Sequence, residues 1–194
     1  AQTIVVIGGG IDLSIASMMA LTSVTAARLM GGASEEFAIL VVPLVLLLGL
    51  LLGAINGILI VITRVPDIIV TLAMLFVWQG VALLVLESPG GGAAEWLRAL
   101  VIGTLSIPGV PEAITQWIPK ALILVLVCLG IVWIPLHRSR LGLSIYAIGS
   151  SSLAAFRSGV GVARTKITSY AVAGLFAGMG GLVLTLSTGI GAPI

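Results

Sequence analysis

Three consecutive glycines and an acidic residue, Gly8-Gly9-Gly10-Ile11-Asp12-Leu13-Ser14, interrupt an apolar tract near the start of the chain. A carboxylate facing lipid costs on the order of 3 kcal/mol on insertion scales, so Asp12 belongs against protein, water or a partner group. Two readings are open. As an Asp ahead of an apolar run it suits a helix N-cap, where its charge complements the positive helix end. As a buried acceptor it suits direct contact with a solute. The glycines permit unwound backbone, which a membrane interior tolerates only where it is buried or lines water.

Other polar residues recur at helical spacing inside apolar stretches. Asn56 shares a stripe with Gly49, Gly53 and Gly57; Thr71, Trp78 and Gln79 share another; Ser14, Ser17 and Thr25 form a third; Gly174, Gly178, Gly181, Thr185 and Thr188 form a fourth. Such faces should pack inward. For each polar member a helix–helix hydrogen bond and a place along a translocation path are both open. Asn56, Trp78 and Gln79 are the preferred path candidates, because neutral amides and an aromatic face suit a hydroxylated, uncharged solute; Thr71, Ser14 and Asp12 accompany them.

The inventory argues against catalysis. There is no Gly-x-x-x-x-Gly-Lys-Ser/Thr loop, so the chain does not bind ATP in the usual way. His137 is the single histidine and lies at a membrane edge, and the single cysteine, Cys128, reads as a small apolar packer. No catalytic residue, metal site or cofactor is expected, and energy for any transport must come from a separate ATPase or a gradient.

The elements that position these residues follow from composition. With 59% hydrophobic residues, 8% charged residues and a mean hydropathy of +1.28, the chain reads as an integral membrane protein, an all-α polytopic helical bundle. Its 25 glycines suit close helix packing. A span needs about 20 apolar residues. Five segments qualify: Leu13 to Met30, Phe37 to Thr63, Ile68 to Leu86, Ala121 to Leu136, and Ile167 to Thr188. The second is long enough to require tilt, or a bend near Pro43. Residues 2 to 11 are apolar too, as the tail of an earlier helix or half of a broken one.

Loop charge sets the orientation. Arg64, Arg138, Arg140, Arg157, Arg164 and Lys166 fall on one side, and Arg28, Arg98 and Lys120 on the other, which puts residues 137 to 166 in the cytoplasm. The net charge of +2 gives a nucleic-acid role no support. Residues 87 to 117 form an outer loop, with a short interfacial helix over Ala94 to Ile102 and a return punctuated by Pro108, Gly109 and Pro111. Trp96 and Trp117 suit the headgroup level, or contact with an external partner. In the cytoplasmic loop, Ser150-Ser151-Ser152 is a helix start, and Leu153, Ala154, Ala155, Phe156 and Arg157 lead to a stop at Ser158-Gly159. A short helix there either lies on lipid or docks into a groove of another protein.

Four segments together resemble the ribose-type sugar permeases, inner-membrane subunits of bacterial ATP-binding-cassette importers. They are Gly9-Gly10-Ile11-Asp12-Leu13-Ser14, Gly53-Ala54-Ile55-Asn56-Gly57, Val65-Pro66-Asp67-Ile68-Ile69-Val70-Thr71-Leu72-Ala73, and Arg140 to Gly159. The motifs come in the family's order and the resemblance covers nearly the whole chain. It departs from the usual wording where Leu153 replaces an acidic residue and Phe156-Arg157 replaces an Arg-Leu order.

The resemblance implies a single permease domain over 1–194, a fragment lacking flanking helices at both ends. It implies an ATPase partner docked on the 153 to 159 coupling helix, a periplasmic solute-binding protein at the outer loop, and a second permease chain, identical or related. The implied solute is a monosaccharide or similar neutral molecule. A branched-chain amino-acid permease of related plan is the nearest alternative, followed by an ATPase-independent carrier or channel.

Overall fold

The computed structural model describes residues 1–105, 115 and 117–193; Pro108, Gly109 and Pro111 lie outside them. In chain order the helices are α1 (Gln2–Ile7), α2 (Ile15–Met30), a 3-10 turn (Glu35–Phe37), α3 (Ala38–Thr63), α4 (Asp67–Val85), α5 (Glu95–Val101), α6 (Lys120–Cys128), α7 (Ile134–Arg138), α8 (Arg140–Ser150), α9 (Ser152–Arg157) and α10 (Val162–Thr188). A π-helical segment, Leu129–Trp133, joins α6 to α7. The protein is an all-α polytopic membrane protein.

Among the described residues four stretches are long and apolar enough to cross a bilayer: Glu35–Thr63, Asp67–Val85, Lys120–Arg138 and Val162–Thr188. They correspond to four of the five expected spans, with α10 starting earlier than Ile167. The remaining one is shorter than expected. α2 has 16 residues, about 24 Å at about 1.5 Å per residue, against a hydrocarbon core of about 30 Å. Its shortening has a local cause in the glycine run. Gly9 takes a φ of 77°, Gly10 N–H donates to Val5 O at 2.9 Å and Gly9 N–H to Val6 O at 3.0 Å, which closes α1 as a Schellman turn. Residues 8–14 therefore break the apolar tract into two helices.

α3 continues through Pro43, which forfeits only one amide donor early in the helix. Its 26 residues span about 39 Å, so tilt, not a break, must accommodate the length. Pro135 follows the π-helical segment, which accommodates the carbonyl left without its usual donor.

The core is a close seam between α3 and α10, with α2 packed on both and α4 packed on α2. Small residues make the seam possible. A Cβ on Gly49 would lie 2.5 Å from Gly174 O, and one on Gly53 would lie 2.9 Å from Gly174 Cα, so backbone rests on backbone. Further along, Ser23 Oγ and Thr185 Oγ1 share a buried hydrogen bond of 2.8 Å that joins α2 to α10. Met18, Leu21 and Val24 of α2 pack with Trp78 and Ala82 of α4.

At the outer-loop end α5 falls where the interfacial helix was expected, and it docks on the bundle. Ala94 and Leu97 join the buried cluster of Ala26, Met30, Val41, Val45 and Leu186. Trp96 Nε1 donates to Glu35 O at 3.0 Å and Arg98 Nε to Leu186 O at 3.2 Å. Trp96 is thus tied to the protein, whereas Trp117 is 80% exposed, which suits the headgroup level and an external partner alike.

Candidate functional site

The polar residues nominated from separate stripes converge on one buried chain of hydrogen bonds. Trp78 Nε1, on α4, donates to Asn56 Oδ1 on α3 at 3.2 Å. Asn56 Nδ2 donates to Ser14 Oγ at 2.6 Å, and Ser14 Oγ donates to Asp12 Oδ1 at 2.7 Å. Ser14 N–H donates to the same Asp12 oxygen at 2.9 Å. All four residues are buried. The relay crosses from α4 through α3 to the break before α2, and every donor–acceptor pair is used in one direction.

Each member is placed by a simple local cause. The α3 glycines turn their stripe against α10, and Asn56, one residue ahead of Gly57, falls on the adjacent flank toward α2 and α4. On α4, Trp78 lies two turns beyond Thr71 and so shares its face. Thr71 stays just outside the relay but frames it. Its Oγ1 accepts from Leu13 N–H and lies 3.2 Å from Ile11 O, bracketing Asp12 in sequence. Gln79 is half-buried and joins the relay through no hydrogen bond among the described residues, because it is rotated away from the face of Trp78.

The capping expectation for Asp12 is corrected in detail. Ser14 occupies the N-cap position of α2, and Asp12 lies two residues earlier, folding its Oδ1 back onto Ser14. Asp12 Oδ2 is buried without a hydrogen-bond partner, the one such side-chain atom among the described residues. A buried acceptor left unmatched is costly, so the position is one where a polar group from elsewhere is favoured.

Below the relay lies a cluster that the spacing of residues did not reveal. Lys166 Nζ, near the start of α10, pairs with Asp67 Oδ1 at the start of α4 at 2.7 Å. Tyr170 Oη donates to Asp67 Oδ2 at 2.8 Å. The only available signal was one acid and one base at the starts of two spans. Lys166 read as one more basic loop residue, and the partners stand 99 positions apart.

The 153 to 159 segment forms α9 and its closing turn. Ser151 caps the helix by accepting from Ala154 N–H at 3.2 Å, and Gly159, with a φ of 84°, ends it. Only Ala155 faces inward, at 4% exposure. Leu153 and Phe156 are 60% and 68% exposed, and Ala154, Arg157, Ser158 and Gly159 are exposed as well. Ahead of it, α8 buries Gly142, Ile145 and Ile148. His137 packs beside Trp133 and edge-on to Tyr146, and no group of three potential metal ligands occurs among the described residues.

Residues 1–194 match the family described as branched-chain amino acid transport system / permease component. The chain is 33% identical over 185 residues to the ribose import permease protein RbsC of Escherichia coli strain K12, covering 94% of this chain and 54% of that protein. It is 34% identical over 190 residues to the autoinducer 2 import system permease protein LsrD of Shigella flexneri, with the same shares covered. The chain therefore spans about half the length of the curated relatives it matches. No solved structure matches it.

Proposed function

Because the chain belongs to the branched-chain amino acid transport system / permease component family, we propose that it is the membrane-spanning permease part of a bacterial inner-membrane ATP-binding-cassette importer. Residues 1–194 act as one permease domain that passes a monosaccharide or similar neutral, hydroxylated solute. The observation that carries this reading is the relay Trp78–Asn56–Ser14–Asp12, three neutral side chains ending on one carboxylate that has an oxygen to spare, buried at the meeting of α2, α3 and α4. Such groups exchange hydrogen bonds with hydroxyls one for one, and without a paired charge they do not hold the solute tightly.

The names of the relatives point the same way, to ribose and to autoinducer 2. An amino-acid solute is a weaker fit. Its carboxylate needs a cation or a helix N-terminus, and the relay contains no base. Asp12 alone also makes a poor ion relay, which disfavours a gradient-driven carrier.

Energy comes from a separate ATPase that docks on α9, whose exposed Leu153 and Phe156 supply the apolar contact. A periplasmic binding protein delivers solute at the outer-loop end around α5, and a second permease chain completes the path. ATP-driven motion of α9 switches the bundle between outward and inward access.

The test is co-purification of the full-length permease with its ATPase, followed by uptake into proteoliposomes of sugar or amino acid delivered by the binding protein. Ala154→Trp is the informative variant, because Ala154 is exposed and the bulk meets only a docked partner. Loss of the ATPase from the folded variant supports the assignment. Unchanged assembly and unchanged stimulated hydrolysis would overturn it, and uptake without any ATPase would establish the carrier instead.

A further inference from the structure

We propose that Asp67 and Lys166 are positioning residues that tie the start of α10 to the solute relay, so that motion arising at α9 reaches Asp12 through the first turn of α4. The inference rests on the permease reading above and names the contacts that serve it.

Both carboxylate oxygens of Asp67 are held by α10: Oδ1 by Lys166 at 2.7 Å and Oδ2 by the Tyr170 hydroxyl at 2.8 Å. Lys166 and Tyr170 are four residues apart and project from one face of that helix. Asp67 is the first residue of α4, so the α4 terminus is fixed to α10 at two points. The pair is partly enclosed, with side-chain exposures of 28% for Lys166 and 12% for Asp67, so it is screened less than a surface pair.

One turn along α4, Thr71 Oγ1 receives the Leu13 N–H and meets Ile11 O, each at 3.2 Å. The same hydroxyl reaches back to Asp67 O at 2.9 Å. The single Thr71 proton lies between Asp67 O and Ile11 O, so a displacement of Asp67 reaches the backbone beside Asp12 chiefly through the Leu13 N–H bond.

The glycine break is built against this cluster. A Cβ on Gly10 would lie 2.6 Å from Asp67 Oδ2 and 2.8 Å from the Tyr170 hydroxyl, so no larger residue fits while the cluster is closed. On the other side, α10 follows α9 after a short turn. Phe156, Gly159 and Val160 line a cleft of about 1220 Å³ with Arg64, Asp67 and Lys166, so the end of α9 faces the Asp67–Lys166 pair across open space. The connection thus runs from α9 through the hydrogen-bonded turn at Val160 into α10, and from α10 toward the relay through one ion pair, one hydroxyl and one threonine.

The experiment uses full-length permease with its ATPase and binding protein in proteoliposomes, and reads solute uptake and ATP hydrolysis together. Asp67→Asn and Lys166→Met should leave stimulated hydrolysis within about twofold while lowering solute moved per ATP about tenfold, with Lys166→Arg restoring most of it. The double variant should be no worse than either single one. An unchanged ratio in both single variants overturns the proposal, as does a parallel fall in hydrolysis and uptake that Lys166→Arg does not relieve. If the charge-removing variants fail to assemble, Tyr170→Phe, which deletes one hydroxyl, decides: a lowered ratio supports the tie and an unchanged ratio overturns it. A wild-type chain that moves no solute with its ATPase overturns the permease reading itself, and that outcome is separate from these.

Discussion

Trp78 Nε1 donates to Asn56 Oδ1 at 3.2 Å, and the amide's other end donates to Ser14 Oγ, so one side chain on α3 joins α4 to the start of α2. Asn56→Ala removes both bonds and leaves a buried indole N–H and a buried hydroxyl less satisfied. Interhelical hydrogen bonds in membranes average about 0.6 kcal/mol and reach about 1.7, so the expected cost is about 1–2 kcal/mol. Trp78→Phe removes one bond but also empties buried ring volume, so the bridge is read from the coupling between the two variants in a double-mutant cycle. Thermal unfolding in detergent of both singles and the double variant measures it; strictly additive losses would show that Asn56 and Trp78 do not interact.

The α3–α10 seam makes a sharper demand on size. Gly53→Ala would press a methyl group onto Tyr170 O and to within 2.9 Å of Gly174 Cα, and neither backbone can yield without separating the helices. Folded yield and melting temperature should fall steeply. Gly80→Ala on α4 meets nothing within 4 Å and gains helix propensity of about 1 kcal/mol, so it should be neutral or stabilising in the same assays.

Asp12 separates a structural from a solute-binding role by one atom. Oδ1 accepts two hydrogen bonds from Ser14, so in Asp12→Asn the amide oxygen keeps that position and the NH₂ replaces the unpartnered Oδ2. The variant should fold as the parent does, since the Ser14 contacts persist and a buried charge is removed. Uptake should fall about tenfold, the loss of one charge-assisted acceptor at about 1.5 kcal/mol. Normal uptake in a folded Asp12→Asn protein would confine Asp12 to holding the start of α2.

The exposed face of α9 yields a prediction about assembly alone. Leu153→Asp with Phe156→Asp changes two outward side chains and leaves the buried Ala155 untouched. The bundle should melt within about a degree of the parent, because exposed substitutions rarely shift stability by more than about 0.5 kcal/mol. Capture of the ATPase should be lost. Retention of the ATPase in a pull-down would place its docking surface elsewhere.

Periodicity and composition settled much of this in advance. The lengths of charge-free runs located α3, α4, α6–α7 and α10 within a few residues, because lipid thickness imposes one length on every span. The glycine stripes on α3 and α10 announced faces that pack inward, though not that they pack on each other, and the serines before Leu153 announced α9. The shortened α2 was less legible, since hydropathy counts Leu13 and Ile11 alike and does not register that Gly9 and Gly10 close α1 as a turn.

The sequence by itself determined much of which residues face inward, because helical period reports the angle of a side chain about its own axis, although Gln79 at the edge of its stripe is only half-buried and Thr188 at the end of α10 is exposed. Only the tertiary structure decided what each one meets. Asn56 lies one residue from the seam glycine Gly57 yet binds Ser14 and Trp78 and not α10, and Asp67 finds Lys166 and Tyr170 across 99 and 103 residues. Those pairings depend on crossing angle and relative height of separate helices. Both are fixed by how closely the Gly49–Gly174 and Gly53–Gly174 backbones approach, a distance that no spacing within one helix encodes.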